Sequence, residues 1–221
     1  MQTDDAFRAD VLAIGAASFH NIARDAVRRG DVNIAQKPRD EAVRELCAYV
    51  RNWVEGEITM VDDHRPEILE EARRCANEER PMIAIVLYAT YFEHALNDLV
   101  LAGCARAKIN HSIARRLVRA ASVVDKTEEL LSDIGLRLLP DSTMKAIRRI
   151  AECRNEFVHY KWIGRTDAEI DAHRIRIAET LRCAELAVTA FEAYEKMTLL
   201  EGFEKVLGPE KAESDGRPKG H

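Results

Sequence analysis

The sequence predicts an all-α protein, a helical bundle with an N-terminal helical extension. Three observations carry that prediction. Glycine and proline are sparse, ten and six in 221 residues, so few positions break a helix. Apolar residues recur at three- and four-residue spacings along most of the chain. No stretch sustains the strict alternation of a half-buried strand. With 47% apolar and 32% charged residues, the chain is long enough to bury one good core.

The elements follow in order. Residues 5–29 read as a first helix, with Phe7, Val11, Ile14, Ala17, Ile22 and Val27 on a helical period and Gly30 as the stop. Pro38 and Asp40 open a second, carrying Val43, Leu46, Val50, Trp53 and Ile58. The stretch from Val61 to Pro66 is a turn, because the residue before a proline avoids the helical region. A third helix spans about 66–78. Pro81 then sits in the first turn of a long apolar helix ending near Lys108-Ile109-Asn110. His111 to Ala120 is a short basic helix. Ser122 caps a helix over 123–134, which Gly135 closes. Pro140-Asp141-Ser142 opens a helix from 142 to about 160, with Met144, Ile147, Ile150 and Ala151 on its buried face. Trp162-Ile163-Gly164 is a break. Thr166 or Asp167 caps a last long helix to about Leu200. From Gly208 the polar, Gly- and Pro-containing tail reads as disordered. The domain reading is an acidic helical extension at 1–79, a bundle at 80–207 and a tail at 208–221.

Several classes are excluded. The apolar run from Met82 to Ala105 is flanked or interrupted by Arg80, Glu93, His94, Asn97 and Asp98. An acidic residue at mid-bilayer costs roughly 2.5–3.5 kcal/mol, so an enclosed core helix is expected and no membrane span. Met1 to Asp10 carries four charges and no apolar run, which predicts no signal peptide. Five cysteines, Cys47, Cys75, Cys104, Cys153 and Cys183, are far apart, odd in number and without a CxxC pair. That argues against a disulfide framework or a structural zinc site and fits a cytoplasmic protein. The net charge of −5 is unevenly spread: residues 1–103 sum to −7, 104–165 to +6 and 166–221 to −4. The middle third is basic enough to meet a polyanion, although a solvated basic surface has the same composition.

The segment Arg154-Asn155-Glu156-Phe157-Val158-His159 carries the candidate chemistry. Asn155 and His159 are four apart and share a helix face. Arg154 and His159 stand about 140° apart on an ideal helix. Histidine exchanges a proton near neutral pH, arginine offers a planar cation to phosphate oxygens, and asparagine donates to an oxygen or holds the imidazole. Such a set suits cleavage of an RNA phosphodiester by its own 2′-hydroxyl, with no metal required in principle. The spacing alone is weak: 24 arginines and seven histidines produce about one Arg-x4-His pair by chance, and Arg106 with His111 forms a second one. On spacing alone, Arg154 and His159 as surface residues, or His159 bonded to a backbone carbonyl, remains the leading account.

The segment RNEFVHYKW at the end of an amphipathic helix, followed by a break and a long final helix, resembles the HEPN superfamily. These are helical nucleotide-binding and ribonuclease domains of prokaryotes and eukaryotes. The shared pattern is Arg-x4–6-His, often with a polar residue directly after the arginine; here Arg154, Asn155 and His159 match it. IAIVLYATYFEHALNDLV and DKTEELLSDIG are similar to the family's earlier helices, and the likeness covers about residues 80–200. The resemblance implies a metal-independent endoribonuclease without cofactors, with RNA as substrate. It also implies a homodimer in which two Arg/His sets face each other. His159 would be the acid/base or nucleophile-positioning group, Arg154 the phosphate ligand and Asn155 the orienting residue. Some members are toxins whose antitoxin modifies a tyrosine two residues after the histidine; here that position is Lys161, with Tyr160 one earlier. A toxin or phage-defence effector with an antitoxin or other regulatory protein is one implied setting. A catalytically silent helical module binding a protein or nucleotide partner is the alternative.

Other candidates are weaker. Arg115, Arg116 and Arg119 with His111 form a possible RNA-binding surface, since no acidic residue falls between Asp98 and Asp125; a solvated face explains them equally well. Lys161 and Trp162 offer a phosphate contact and a stacking surface, though tryptophan at such a place is more often core. His94 and Asp98, four apart, are read as a buried hydrogen-bonded pair rather than metal ligands, and Glu93 and Asn97 likewise. No Gly-rich phosphate loop, HExxH or GxSxG occurs.

Overall fold

The structure is a computed structural model that describes residues 16, 18–54, 63–159 and 166–207. It is all-α, a packed helical bundle with no strand among the described residues. The described residues fall into two compact units, one formed by 63–198 and the other by the first segments with 199–207.

In the larger unit, α3 (Arg65–Asn77) starts with Pro66 in its first turn and buries Leu69, Ala72 and Cys75 against α4 (Pro81–Arg106). Ile85, Tyr88, Phe92, Leu96, Leu99 and Val100 of α4 are all almost wholly buried. Helix α4 is enclosed because α3, α5 (His111–Ala120), the 123–133 helix α6 and α7 (Asp141–Val158) all pack on it. The long α8 (Asp167–Leu199) adds Phe191, whose ring meets Phe92 edge-on at 6.1 Å. The expected core helix is thus observed, and no described helix is long and apolar enough to cross a membrane. Gly103 gives the turn after α6 room: a Cβ there would lie 2.7 Å from the Ile134 side chain.

Caps explain the boundaries. Asn110 accepts from the Ser112 amide at 2.8 Å and starts α5. Ser122 and Asp125 form a capping box at α6, with bonds of 3.2 and 2.8 Å. Thr166 and Glu169 repeat that device at α8, both bonds 3.2 Å, so Thr166 is the cap of the two expected candidates. Gly135 ends α6 with φ of 77°, a left-handed conformation that glycine adopts without strain.

Two expectations needed adjustment. Helix α6 is not uniformly α: Lys126–Leu130 is a π-helical turn between Val123–Asp125 and Leu131–Asp133. The Thr127 hydroxyl donates to the Val123 and Val124 carbonyls, 3.0 Å each, and so competes for acceptors of the preceding turn. On α7 the core stripe is Thr143, Ile147, Ile150 and Cys153, while Met144 and Ala151 lie half-buried at its edge. The stripe follows i, i+4, i+7 spacing, and Met144 falls one residue, about 100°, off it.

In the smaller unit, α1 (residues 18–29) ends at Gly30, and α2 (Arg39–Val54) packs on α9 (Phe203–Leu207). Arg39 Nε donates to the Val206 carbonyl at 3.2 Å, and the His20 ring meets Phe203 edge-on at 5.1 Å. The expected helix before residue 16, the second helix beyond Val54, the break at 162–164 and the disordered tail lie outside the described residues.

Two outcomes follow from this packing. Phe92→Ala empties a fully buried ring site and lowers stability by about 3–5 kcal/mol, read from urea unfolding. Arg73 donates to the Glu185 carboxylate at 2.9 and 3.0 Å, and Tyr88 donates to it too. The Arg73 guanidinium holds the Glu185 carboxyl below the usual carboxylate range. A depressed carboxyl stabilises the fold above its unfolded value, and that contribution drains as pH falls from about 4.3 through the folded value. Glu185→Gln therefore makes the fall of Tm between about pH 5 and pH 3 shallower.

Candidate functional site

Helix α7 is held on both flanks of its core stripe. On one side Arg154 Nη2 donates to Glu93 Oε2 of α4 at 3.0 Å, with the two side chains 30% and 44% exposed. On the other, Arg176 of α8 donates to both Glu156 carboxylate oxygens, one at 3.0 Å, and meets His173 Nδ1 at 3.1 Å. Between them the Cys153 thiol contacts the Thr180 hydroxyl at 3.7 Å. This fixes the rotation of the helix. Asn155 and His159, four residues apart, are turned to the outside, and both are exposed.

His159 is the C-cap of α7, its backbone N–H donating to the Asn155 carbonyl at 3.1 Å. No described residue hydrogen-bonds to the Asn155 carboxamide or the His159 imidazole. Beside them Phe157 and Val158 are each 46% exposed. Within one chain, then, the structure places Asn155 and His159 on one face and Arg154 on the neighbouring flank, turned towards α4. Lys161, Tyr160 and Trp162 lie outside the described residues.

The partner of Arg154 belongs to a polar strip on α4 formed by Glu93, His94, Asn97 and Asp98. The expected buried His94–Asp98 pair is not what forms. His94 is exposed, and Asp98 faces Arg65 Nε at 3.5 Å. Arg65 is 9% exposed and is also held by Asp63 at 2.7 Å and Glu195 at 3.4 Å. Asp98 thus helps to balance a buried guanidinium rather than pairing with His94. Asn97 instead accepts from Lys126 Nζ at 2.7 Å. Lys126 is 3% exposed, and burial pushes its pKa down, partly offset by the Glu93 and Asp125 carboxylates.

The same strip forms one wall of a cleft of about 270 Å³. His94, Asn97, Asp98 and Leu101 of α4 face Arg115, Val118 and Arg119 of α5 across it. Of the three candidate arginines on α5, Arg115 and Arg119 therefore meet in a concavity, whereas Arg116 is exposed and does not line it. None of the three forms an ion pair with a described residue. The absence of acids between Asp98 and Asp125 is the sequence signal for that. Lys126 has no such signal in the sequence.

Among the described residues no group of three or more His, Cys, Asp or Glu could hold a metal ion. Cys75, Cys104 and Cys153 are buried free thiols, and Cys47 and Cys183 are half-buried ones. Compared with protein-family models, curated proteins and solved structures, the chain has no match.

The Arg154–Glu93 pair is partly solvated, so its coupling is modest. A double-mutant cycle over Arg154→Ala and Glu93→Ala, read from urea unfolding, gives about 0.2–1 kcal/mol.

Proposed function

We propose that this chain is a HEPN-type, metal-independent endoribonuclease acting as a homodimer, with Arg154, Asn155 and His159 as its site. The observation that carries the reading is the exposed His159 imidazole at the end of α7, sharing its face with the exposed Asn155 carboxamide. An imidazole in contact with water can take and return a proton at neutral pH. Exposed Phe157 and Val158 on the same turn supply apolar area for a second copy, whose Arg154 would complete a composite site. In this mechanism His159 removes the proton from a ribose 2′-hydroxyl, the oxygen attacks the adjacent phosphorus, and the 5′-oxygen leaves with a proton donated by the protonated His159 of the second copy. Arg154 exchanges Glu93 for the scissile phosphate and stabilises its developing charge, while Asn155 orients the phosphate or the imidazole.

The second reading is a catalytically silent helical module that binds a protein or nucleotide partner, within a toxin–antitoxin or phage-defence setting. The Arg154–Glu93 pair favours it, since that guanidinium already has a carboxylate partner.

The deciding experiment is incubation of the purified chain with single-stranded RNA in EDTA, beside His159→Ala. The nuclease reading expects cleavage that drops by about 100-fold or more in the variant, with an unchanged circular dichroism spectrum. Equal cleavage by both proteins removes His159 from the mechanism, and no cleavage by either leaves the binding module.

A further inference from the structure

We infer that the cleft between α4 and α5 binds a ribonucleotide through its phosphate, either as a free nucleotide or as one unit of an RNA strand. This site is separate from the α7 residues and does not depend on their chemistry.

Arg115 and Arg119 stand one turn apart on α5 and both line the cleft. Elsewhere in the same unit Arg73, Arg148, Arg149, Arg154 and Arg176 each pair with a carboxylate. The two cleft arginines pair with none among the described residues, so their planar donor forks are available to phosphate oxygens.

The facing wall is organised by Lys126. An ammonium only donates, so the Asn97 oxygen must be the end that meets it at 2.7 Å. Asn97 lines the cleft, and with its oxygen taken by Lys126 the amide has only donors left to offer. Because Lys126 is only 3% exposed, this support is built into the core rather than supplied by a mobile surface side chain. Asp98 lines the same wall, with Arg65 balancing its charge from α3. Two guanidiniums and an amide thus line the cleft as donors for an anion, and beside them lies the Asp98 carboxylate, which holds Arg65 and can accept a further bond from a hydroxyl. A ribose attached to a phosphate presents that pair of features. Leu101 and Val118 offer apolar surface to the sugar or base. The cleft, about 270 Å³, lies open to solvent, so a ligand can enter it from the surface.

Isothermal titration of the full chain with the four ribonucleoside 5′-monophosphates, their 2′-deoxy forms, the nucleosides, inorganic phosphate and a single-stranded RNA tetramer tests the site. At least one monophosphate or the tetramer should bind saturably, and the nucleosides should not. Arg115→Gln and Arg119→Gln, both on the exposed face of α5, should each weaken binding about tenfold or more. Asn97→Asp, which keeps a partner for Lys126 but replaces the donor with an acceptor, should weaken it as well. Asp98→Asn should narrow the preference for ribose over deoxyribose. A tetramer that binds more tightly than any monophosphate assigns the site to RNA, and the reverse assigns it to free nucleotides. Saturable binding that both arginine variants retain in full would overturn the assignment. So would no binding of any probe, or inorganic phosphate binding as tightly as the nucleotides. Nucleotide binding without RNA cleavage leaves this site standing and removes the α7 nuclease; RNA cleavage without binding that depends on Arg115 and Arg119 does the opposite.

Discussion

Helix α4 is enclosed by five other helical elements and yet carries four polar residues in its middle. Polar groups at the edge of a core cost free energy unless they find partners. Glu93, Asn97 and Asp98 find them in Arg154 of α7, Lys126 of α6 and Arg65 of α3. Each partner comes from a different helix, so one strip of α4 ties three others to a defined rotation and register. Such buried or half-buried pairs add little net stability over an apolar alternative, but removing one member leaves the other desolvated and unpaired. The strip therefore specifies arrangement, while the buried apolar residues, Phe92, Phe191, Leu96 and Leu99 among them, supply the driving force.

The two candidate sites follow from that arrangement. Because Arg154 is turned to Glu93 and Glu156 to Arg176, the only face left for Asn155 and His159 is the outer one. Because α5 packs on α4 through Ala114, with Leu117 and Val118 half-buried, Arg115 and Arg119 come to rim the polar strip. A charge asymmetry that was diffuse along the sequence becomes a local concavity with cations on one side and an amide and a carboxylate on the other.

Much of this was legible beforehand. Ser122 and Thr166 cap where their side chains suggest, Gly135 ends α6, and the apolar run after Pro81 is an enclosed core helix, as its interrupting polar residues lead one to expect. That Asn155 and His159 share a face follows from their four-residue spacing; that this face is the outer one follows only from the observed α7 core stripe. The partners of the α4 strip were not legible. Pairing His94 with Asp98 is a sound local inference from i,i+4 geometry, but Arg65 lies 33 positions away from Asp98 in sequence and wins the carboxylate through tertiary contact. Met144 and Ala151 looked equivalent to Ile147, and only the direction from which α4 and α8 approach makes Thr143 and Cys153 the inward residues.

By itself the sequence determined most of the described helices and their caps. These depend on spacings of a few residues, where backbone geometry alone sets which side chains are neighbours. Tertiary structure alone decided that Arg154 answers to Glu93, that Lys126 is buried beneath Asn97, and that Arg115 and Arg119 face a cleft. Those outcomes depend on how helices distant in sequence rotate against one another, and that rotation is chosen by the packing and charge matching of the whole unit.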